Sequence, residues 1–387
     1  MVNHDRLAHV FTELVQIDSV SQKEGTVAKA LQETLESLGA EVVIDQAGPK
    51  VGSDTGNLIA RFQGTARKVA PLLLNAHMDT VQPGEGIKIV FSDGIFSSDG
   101  TTILGADDKS ALAVIIETIR VLKERGLPHG PLEVVVTVCE EVGLLGAKNL
   151  DYSLLKAQYG YSLDASDPDG IVVRAPAANH VRFRVLGRDA HAGAAPEKGI
   201  NAIQIASRAI SKMHIGRIDE ETTANIGLIQ GGTATNIVPG VVTLTGEVRS
   251  HSPQKLDKET KRMVQCLEEE ISAYQKAFPS DDGLPRFESE IREDFSVMKT
   301  PEDHRVVAMA KEAAARLGRE MKAKTSGGGS DANIFFAHGM VTGILGTGMK
   351  DLHTVRESIR LDDMVKAVEL LLEIIQLHAD RPPVPQG

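Results

Sequence analysis

The stretch Pro71-Leu-Leu-Leu-Asn-Ala-His77-Met-Asp79-Thr80 contains the first clear indication of both fold and function. Its first half is a short apolar run, which predicts a buried strand. Its second half ends in an imidazole and a carboxylate two positions apart, at His77 and Asp79. Because side chains at i and i+2 of a strand share a face, these two groups project together from its carboxyl end. Open α/β sheets place their ligands at that edge. A lone His-x-Asp, however, is more typical of a strand that runs into a polar turn.

The composition predicts a globular protein of two domains. The chain has 387 residues, more than one ordinary core supports. Hydrophobic residues make up 42% and charged residues 25%, which is typical of globular proteins. The net charge of −11, the lack of Trp and the four Tyr argue against a nucleic-acid-binding surface.

The cysteines and the apolar runs predict a cytoplasmic protein that does not cross a membrane. Cys139 and Cys266 form no C-x-x-C pair and no disulfide framework. The N-terminus lacks the apolar segment of a signal peptide. No apolar run approaches the roughly 18 residues that a membrane helix needs.

Three further segments repeat the design of the first stretch, since a strand end or a helix start presents carboxylates. The β-branched run 132–138 and the short strand 159–163 are two of them, and the start of an apolar helix near 106 is the third. The carboxylates are Asp107, Asp108, Glu140, Glu141 and Asp164. Each alone has an ordinary explanation, as a helix N-cap or a solvated turn. Their repetition at strand ends favours a common site.

The order of the predicted elements indicates an insertion. Residues 1–178 and 296–387 alternate strands with helices, which predicts one discontinuous α/β domain. Residues 179–295 follow the order β-α-β-β-α-β, which suits an inserted α+β domain of the ferredoxin-like type. The proline-rich tail Arg381–Gly387 is expected to fray.

The collected side chains suit a hydrolytic metal site. They are His77, Asp107, Glu140, Glu141, Asp164 and His353. Imidazole and carboxylate without thiolate favour zinc, manganese or cobalt in a catalytic role. Two divalent ions, about 3.5–4 Å apart, would neutralise so many carboxylates and lower the pKa of a bridging water toward about 7. A carboxylate that binds no metal could then act as general base.

Other hydrolase and nucleotide-binding motifs do not occur. The glycines at 327–329 do not form a phosphate loop, and Ser330 does not lie in a Gly-x-Ser-x-Gly turn. His-Glu-x-x-His, the motif of thermolysin-type proteases, is also missing from the sequence.

As a set, the motifs resemble the di-zinc exopeptidases and amidohydrolases, a family that includes peptidase T, carboxypeptidase G and aminoacylase. The motifs are His77-Met-Asp79, Gly105-Ala-Asp-Asp-Lys109, Glu140-Glu141, Asp164, His191-Ala-Gly193 and His353. The resemblance runs in order across nearly the whole chain, and segments 101–109 and 139–143 are most similar to the peptidase T branch. It implies an α/β fold with a zinc-exopeptidase-like three-layer catalytic domain. It also implies that the inserted ferredoxin-like domain serves as a lid and a dimerisation domain.

The resemblance also implies the metal ligands. Asp107 would bridge two ions, most commonly zinc, with cobalt or manganese as alternatives. His77 and Asp164 would complete one site, and Glu141 and His353 the other. Asp107 is preferred to Asp108 because relatives with Ala-Asp-Met-Lys keep only the first aspartate.

The remaining roles that the resemblance implies concern catalysis and substrate. Glu140 would be the general base, Asp79 would orient His77, and His191 would hold the oxyanion, in many relatives from across a dimer. Substrate contacts are expected at Asn236, Arg249, Gly328 and Gly329, with Arg249 pairing with a substrate carboxylate. A homodimer is expected through the lid, at Ile200–Met213 and an edge strand such as Asn225–Gln230.

The expected activity is release of the N-terminal residue from small peptides, tripeptides in particular, by a metal-bridging hydroxide. An N-acyl amino acid deacylase or a carboxypeptidase on the same scaffold is the alternative. Ala165-Ser166 after Asp164, and Thr-Val-Gln-Pro-Gly after Asp79, depart from typical tripeptidases and leave the substrate length open. A peptide-binding protein without catalysis is a third hypothesis, which the complete set of ligands and base disfavours.

Overall fold

The computed structural model describes residues 2–66, 69–279 and 282–380. Its strands are β1 Glu41–Ile44, β2 Leu58–Phe62, β3 Leu72–His77, β4 Ile89–Ser92, β5 Ile95–Ser98, β6 Leu132–Thr137, β7 Tyr159–Ala165, β8 Gly170–Ala175, β9 Ala177–Leu186, β10 Ala190–His191, β11 Gly216–Asp219, β12 Thr222–Gly231, β13 Ile237–Val238, β14 Val241–Ser250, β15 Arg286–Phe295, β16 Met298–Lys299, β17 Lys322–Thr325, β18 Val341–Gly346 and β19 Ser358–Arg360. Its α-helices are α1 His4–Val15, α2 Gly25–Ser37, α3 Gly48–Val51, α4 Ala106–Glu124, α5 Leu145–Lys148, α6 Ala202–Ile210, α7 Pro253–Ala277, α8 Arg305–Arg316, α9 Asp331–Ala337 and α10 Leu361–Ala379. The tail Arg381–Gly387, predicted to fray, lies outside the described residues.

The chain divides into two units. The first comprises Met1–Arg174, Met298–Ser326 and Ser330–Gly387. The second comprises Ala175–Val297 together with Gly327–Gly329. The sequence placed the inserted domain at 179–295, and the short glycine segment was not part of that prediction.

The first unit is built on a mixed sheet with helices on both faces. The strand order is β1-β2-β6-β3-β7-β18-β8-β16, and β17 pairs with β8. Alternate side chains of the central strands face different helix layers. Leu72 and Leu74 belong to the hydrophobic core that includes α1, α4, α8 and α10. Leu73 belongs to the core on the other face, with Phe335 of α9. Because both faces are covered, the central strands are apolar throughout, as the opening stretch predicted. The three-layer α/β fold predicted from the sequence is confirmed.

Four neighbouring parallel strands bring the candidate residues to one edge. β3 pairs in parallel with β6 and β7, and β7 pairs in parallel with β18. The carboxyl ends of these strands therefore lie side by side. The segments that follow them are the ones that carry the predicted imidazole and carboxylate groups.

One segment of the first unit differs from its prediction. Gly and Asp are frequent in residues 83–104, and this composition predicts a loop. The structure contains the hairpin of β4 and β5, with Phe91 opposite Phe96, and β19 pairs with β5. Phe96 is buried, and its ring meets Phe11 edge-on at 5.0 Å. This packing stabilises the two short strands. It depends on contacts distant in sequence, so the local composition cannot predict it.

The second unit is a five-stranded antiparallel sheet with two helices. Its strand order is β11-β12-β14-β9-β15, and the helices α6 and α7 join the same hydrophobic core. Val181, Phe183 and Val185 of β9 are buried in that core, whereas the intervening Arg182 and Arg184 are exposed. This alternation is that of a sheet with one solvated face. The order of its elements is that of the ferredoxin-like sandwich, with β11 added at one edge.

Two further observations concern membranes and cysteines. No helix in the described part of the chain is long and apolar enough to cross a membrane. Both cysteines, Cys139 and Cys266, are buried free thiols.

Candidate active site

Six predicted groups converge at the carboxyl edge of the parallel strands. His77 ends β3, Asp164 lies near the end of β7, and Asp107 lies at the start of α4. Glu140 and Glu141 follow β6, and His353 follows β18. The structure thus brings together residues that are up to 276 positions apart (353 − 77).

His77 is fixed by hydrogen bonds at both ring nitrogens. Its Nδ1 lies 3.0 Å from the carbonyl oxygen of Asp79, and its Nε2 lies 3.0 Å from Oδ1 of Asp107. A carbonyl can only accept, so Nδ1 donates to it, and Nε2, which donates to Asp107 here, is the nitrogen on which a metal ion would replace the proton. Such a partner behind the ring is usual for metal-binding histidines.

Asp107 lies between two imidazoles. Oδ1 contacts His77, and Oδ2 lies 3.2 Å from Nε2 of His353. The neighbouring Asp108 is turned away, and its Oδ2 accepts from the backbone N–H of His77 at 3.3 Å. Of the two aspartates, Asp107 therefore has the position that a bridging ligand requires.

Among the residues that the structure describes, three groups of His, Asp and Glu side chains have ligand atoms within 4.8 Å of one another. One is His77, Asp107 and Asp164, and another is Asp107, Glu141 and His353. These two share Asp107 and together contain all five predicted ligands. The third group, His77, Glu140 and Glu141, uses two side chains that the other groups already need. Glu140 belongs to neither of the two groups that share Asp107, so it is not needed as a ligand in them.

The carboxyl groups of this cluster are buried close together, which makes it unfavourable for all of them to be ionised at once. Burial raises the pKa of Glu140, Asp164 and Glu141, and the neighbouring carboxylates raise it further. Hydrogen bonds to Asp107 and then to Glu141 raise the pKa of His353 to about 10. Although burial opposes it, hydrogen bonds from His353 and His77 lower the pKa of Asp107. Divalent cations would relieve this repulsion, and the donors are those that zinc, manganese and cobalt accept, so the residues fit two metal ions.

The side chain of Asp79 does more than the predicted steadying of His77. Its Oδ1 lies 3.5 Å from Nδ1 of His77, whose closer partner is the carbonyl of Asp79 itself at 3.0 Å. The carboxylate also accepts from the backbone N–H groups of Glu140 at 2.9 Å and Glu141 at 3.2 Å. The hydroxyl of Ser21 donates to it at 2.7 Å. Asp79 thus faces His77 with both its main chain and its side chain, and its side chain also holds the two glutamates.

In the second unit, the structure brings His191 and Asn236 together. β10 pairs with β13, and the carbonyl of Asn236 accepts from the N–H of Ala192 at 2.8 Å. Nδ1 of the exposed His191 accepts from the N–H groups of Gly193 at 3.2 Å and Ala194 at 3.0 Å. Because Nδ1 accepts, Nε2 is the ring nitrogen of His191 that can donate a hydrogen bond.

Arg249 and Gly329 have partners that the sequence did not predict. The guanidinium of Arg249 forms two 2.9 Å hydrogen bonds with the carboxylate of Glu247 and lies 6.0 Å from the ring of Phe295. A Cβ atom at Gly329 would approach the same ring to 2.3 Å. Gly329 is thus required for packing against Phe295, whereas the expectation for it and for Gly328 was close approach of a substrate.

Comparison with known proteins identifies the family. The model of Peptidase family M20/M25/M40 matches residues 73–377. The chain belongs to this family. The family resemblance stated from the motifs is confirmed, and the chain is a metallopeptidase.

Three proteins show how similar the relatives of this peptidase are. The uncharacterized protein YqjE of Bacillus subtilis (strain 168) is 45% identical over 377 residues, which cover 97% of this chain and 99% of that protein. The solved structure of aminopeptidase PepT from Bacillus cereus ATCC 10987 has a TM-score of 0.87 and 42% identity, covering 98% of this chain and 100% of that one. A tripeptidase from Staphylococcus aureus subsp. aureus Mu50 has a TM-score of 0.91 and 39% identity over the same shares.

The sequence missed a carboxylate that supports the candidate metal ligands of this peptidase. Glu357 is buried and accepts from the backbone N–H groups of Leu104 at 2.8 Å, Gly105 at 2.7 Å and Asp107 at 2.9 Å. Burial raises its pKa to about 7, although these hydrogen bonds act in the opposite direction. Because Glu357 follows His353 by four residues, it ties the segment of one candidate ligand to that of another. The signal that the sequence offered was its position four residues after His353, a candidate ligand.

Proposed function

We propose that this peptidase is a dinuclear metallo-aminopeptidase that releases the N-terminal residue of small peptides, tripeptides in particular, in the cytoplasm. Zinc is the expected metal, with cobalt or manganese as substitutes. The observation that carries the proposal is the pair of candidate ligand groups that share Asp107. Neither group contains Glu140, which is therefore available as a base. The aminopeptidase PepT and the tripeptidase, at 42% and 39% identity, support the substrate class.

The proposed ligands are His77, Asp107 and Asp164 for one ion, with Asp107, Glu141 and His353 for the other. When bound, the two ions would polarise the scissile carbonyl and acidify a water molecule. The protein's own contribution is to keep these donors in place through the contacts of Asp79 and Glu357 described above.

Glu140 is the proposed general base. Its side chain is buried beside the ligands and needs no metal of its own. It would take a proton from the attacking water and give it to the leaving amine. His191, a donor at Nε2, is the proposed partner of the oxyanion, and Asn236 is a proposed substrate contact. Arg249 would have to exchange Glu247 for a substrate carboxylate.

A panel of substrates on the zinc- and cobalt-loaded enzyme tests this function. We expect cleavage of tripeptides with a free amine, release of the first residue, and poor cleavage of the same peptides when acetylated. Preferred hydrolysis of N-acyl amino acids would establish a deacylase instead. Release of the C-terminal residue would establish a carboxypeptidase.

Replacing Asp79 with asparagine should impair catalysis more than metal binding. The amide nitrogen of asparagine cannot accept, so at least one of the N–H groups of Glu140 and Glu141 loses its partner. The carbonyl that orients His77 remains. We expect kcat to fall about 10- to 100-fold, as is usual for partners of metal ligands. Steady-state kinetics with elemental analysis checks this, and loss of metal in parallel with activity would contradict it.

A homodimer through the second unit is also part of the proposal. Residues 225–231 of β12 pair with β14 on one side, and no described strand pairs with their other side. Leu228 and Ile229 in this segment are 59% and 53% exposed. An unpaired apolar strand edge is a template for a second chain, and a two-fold axis would pair it with itself. The family resemblance implied an interface at an edge strand such as Asn225–Gln230, which lies in this segment, and at Ile200–Met213.

The dimer prediction is tested by placing charge on this edge. Ile229→Lys combined with Leu228→Glu should convert a dimer to a monomer in light scattering. Phe278→Lys, an equally exposed position at the end of α7, should leave the dimer intact. A wild-type protein that is monomeric and fully active when dilute would refute the prediction.

A further inference from the structure

The backbone that carries the two adjacent glutamates is held by two buried carboxylates. Oε1 of Glu24 accepts from the N–H of Cys139 at 3.0 Å. Asp79 accepts from the next two N–H groups, those of Glu140 and Glu141. Three consecutive amides after β6 therefore each have a carboxylate oxygen as partner. Glu24 reaches this segment from 115 positions away in the sequence.

Glu24 is placed for this purpose by several other contacts. Its side chain is completely buried, and its Oε1 also accepts from the N–H of Gln22 at 2.9 Å and the thiol of Cys139 at 3.3 Å. Its Oε2 accepts from the hydroxyl of Ser53 at 2.5 Å. No lysine, arginine or histidine of the described chain forms an ion pair with it. A buried carboxylate without a cation is costly unless hydrogen bonds satisfy it, so these donors explain how it is tolerated.

The segment that Glu24 holds has a strained conformation. Cys139 has a φ of 52°, in the left-handed region that L-residues other than Gly, Asn and Asp rarely adopt. Its carbonyl accepts from Leu145 at 3.0 Å, and the carbonyl of Glu140 accepts from Leu144 at 2.7 Å. The N–H and the carbonyl of both Cys139 and Glu140 thus have hydrogen-bond partners. Strain at such a position persists only where the surroundings determine it, and it is typical of functional sites.

One loop supplies both supports. Ser21 donates to Asp79, and its N–H donates to the carbonyl of Thr80 at 3.2 Å. Glu24 follows three residues later in the same loop. The segment between α1 and α2 therefore braces the ends of β3 and β6 together, at the point where the candidate base and ligands begin.

We propose that Glu24 is a positioning residue for the catalytic base: by holding the N–H of Cys139 in its left-handed conformation, it keeps Glu140 aimed at the substrate. This inference rests on the proposed function, in which Glu140 is the base. Glu24 belongs to none of the ligand groups, so its loss should act on kcat and leave metal binding unchanged.

Three substitutions at Glu24 test the proposal. Glu24→Ala leaves the N–H of Cys139 buried without an acceptor, and we expect kcat to fall about 10- to 100-fold with KM and metal content unchanged. Glu24→Gln keeps an acceptor at the same reach and should recover most of kcat. Glu24→Asp keeps the charge but is one methylene shorter, so it should remain impaired. The opposite order, with aspartate active and glutamine inactive, would show that the charge matters and would overturn the proposal.

A matched control separates positioning from folding. Glu117 is an equally buried carboxylate in α4, bound by Arg6 at 2.7 Å and by the N–H of Asn3 at 3.1 Å, outside the candidate site. Glu117→Ala should lower Tm and leave kcat per folded molecule unchanged. If Glu24→Ala behaves in the same way, Glu24 is only structural. If Glu24→Ala does not fold, the order of the aspartate and glutamine variants decides.

Glu140→Gln in the same assay tells the two proposals apart. Full activity of that variant would overturn the proposed function and with it this inference. An inactive Glu140→Gln together with a normal kcat in the aspartate and alanine variants of Glu24 would overturn this inference alone.

Discussion

Glu140→Gln should lower kcat by about a thousandfold, within the range that general acid–base catalysis usually contributes. Glutamine has the size of glutamate but does not accept a proton from water at neutral pH. The backbone N–H of residue 140 still donates to Asp79, so the segment keeps its conformation. Elemental analysis should find the same metal content as in wild type, because the ligand groups that share Asp107 do not need this carboxylate.

The adjacent residue provides the control for this experiment. Glu141→Gln is the same chemical change one position later, in a side chain that lies 3.0 Å from Nε2 of His353. This variant should lose bound metal, and activity should return in part at high metal concentration. If Glu140→Gln loses metal and Glu141→Gln does not, the roles of the two glutamates are exchanged. A fully active Glu140→Gln would refute the proposed base.

The sequence could predict the groups that follow strands, but of the carboxylates that support them it predicted only Asp79. His77, Glu140, Glu141 and Asp164 follow apolar runs, and parallel strands necessarily end at one edge of a sheet. That rule places residues distant in sequence near one another without knowledge of the packing. An α/β domain was predictable for a related reason, since fully apolar strands must be covered on both faces, whereas the three-layer arrangement was implied by the family resemblance.

The supporting carboxylates lie in loops, where sequence patterns carry little information. Glu24 and Glu357 appear in the sequence as single acids among polar residues, which are usually solvated. Their burial results from contacts with backbone amides 115 and about 250 positions away. The local pattern of apolar and polar residues cannot predict contacts between segments so far apart. Arg249 shows the converse, because a side chain expected to meet substrate finds a bidentate partner in Glu247 two residues earlier on the same strand.

Removing the metal should destabilise the protein more strongly as the pH rises. In the metal-free protein the pKa of Glu140, Glu141 and Asp164 is raised by burial, and that of His353 is raised to about 10 by Asp107 and Glu141. A group whose pKa is higher in the folded state binds a proton that the unfolded chain has released, so its contribution to stability is lost with rising pH. For the carboxyl groups this loss begins above their ordinary values of 3.8 and 4.5, and for His353 it begins above 6.5. The metal-free protein should therefore become steadily less stable between about pH 5 and pH 9.

The metal-loaded protein should show the opposite trend over much of this range. Protons compete with metal for carboxylate and imidazole, so metal affinity rises with pH. At free metal a thousandfold above its Kd, binding to the folded state alone adds about 4 kcal/mol of stability. The difference in Tm between loaded and chelator-treated protein should accordingly be small at pH 5 and large at pH 8, as measured by calorimetry. His77→Ala, which lacks the nitrogen that faces Asp107, should lose part of this difference even with metal present. A Tm difference that is constant or shrinks with pH would mean that the buried carboxylates do not bind the metal, because only groups that exchange protons for metal can link the two.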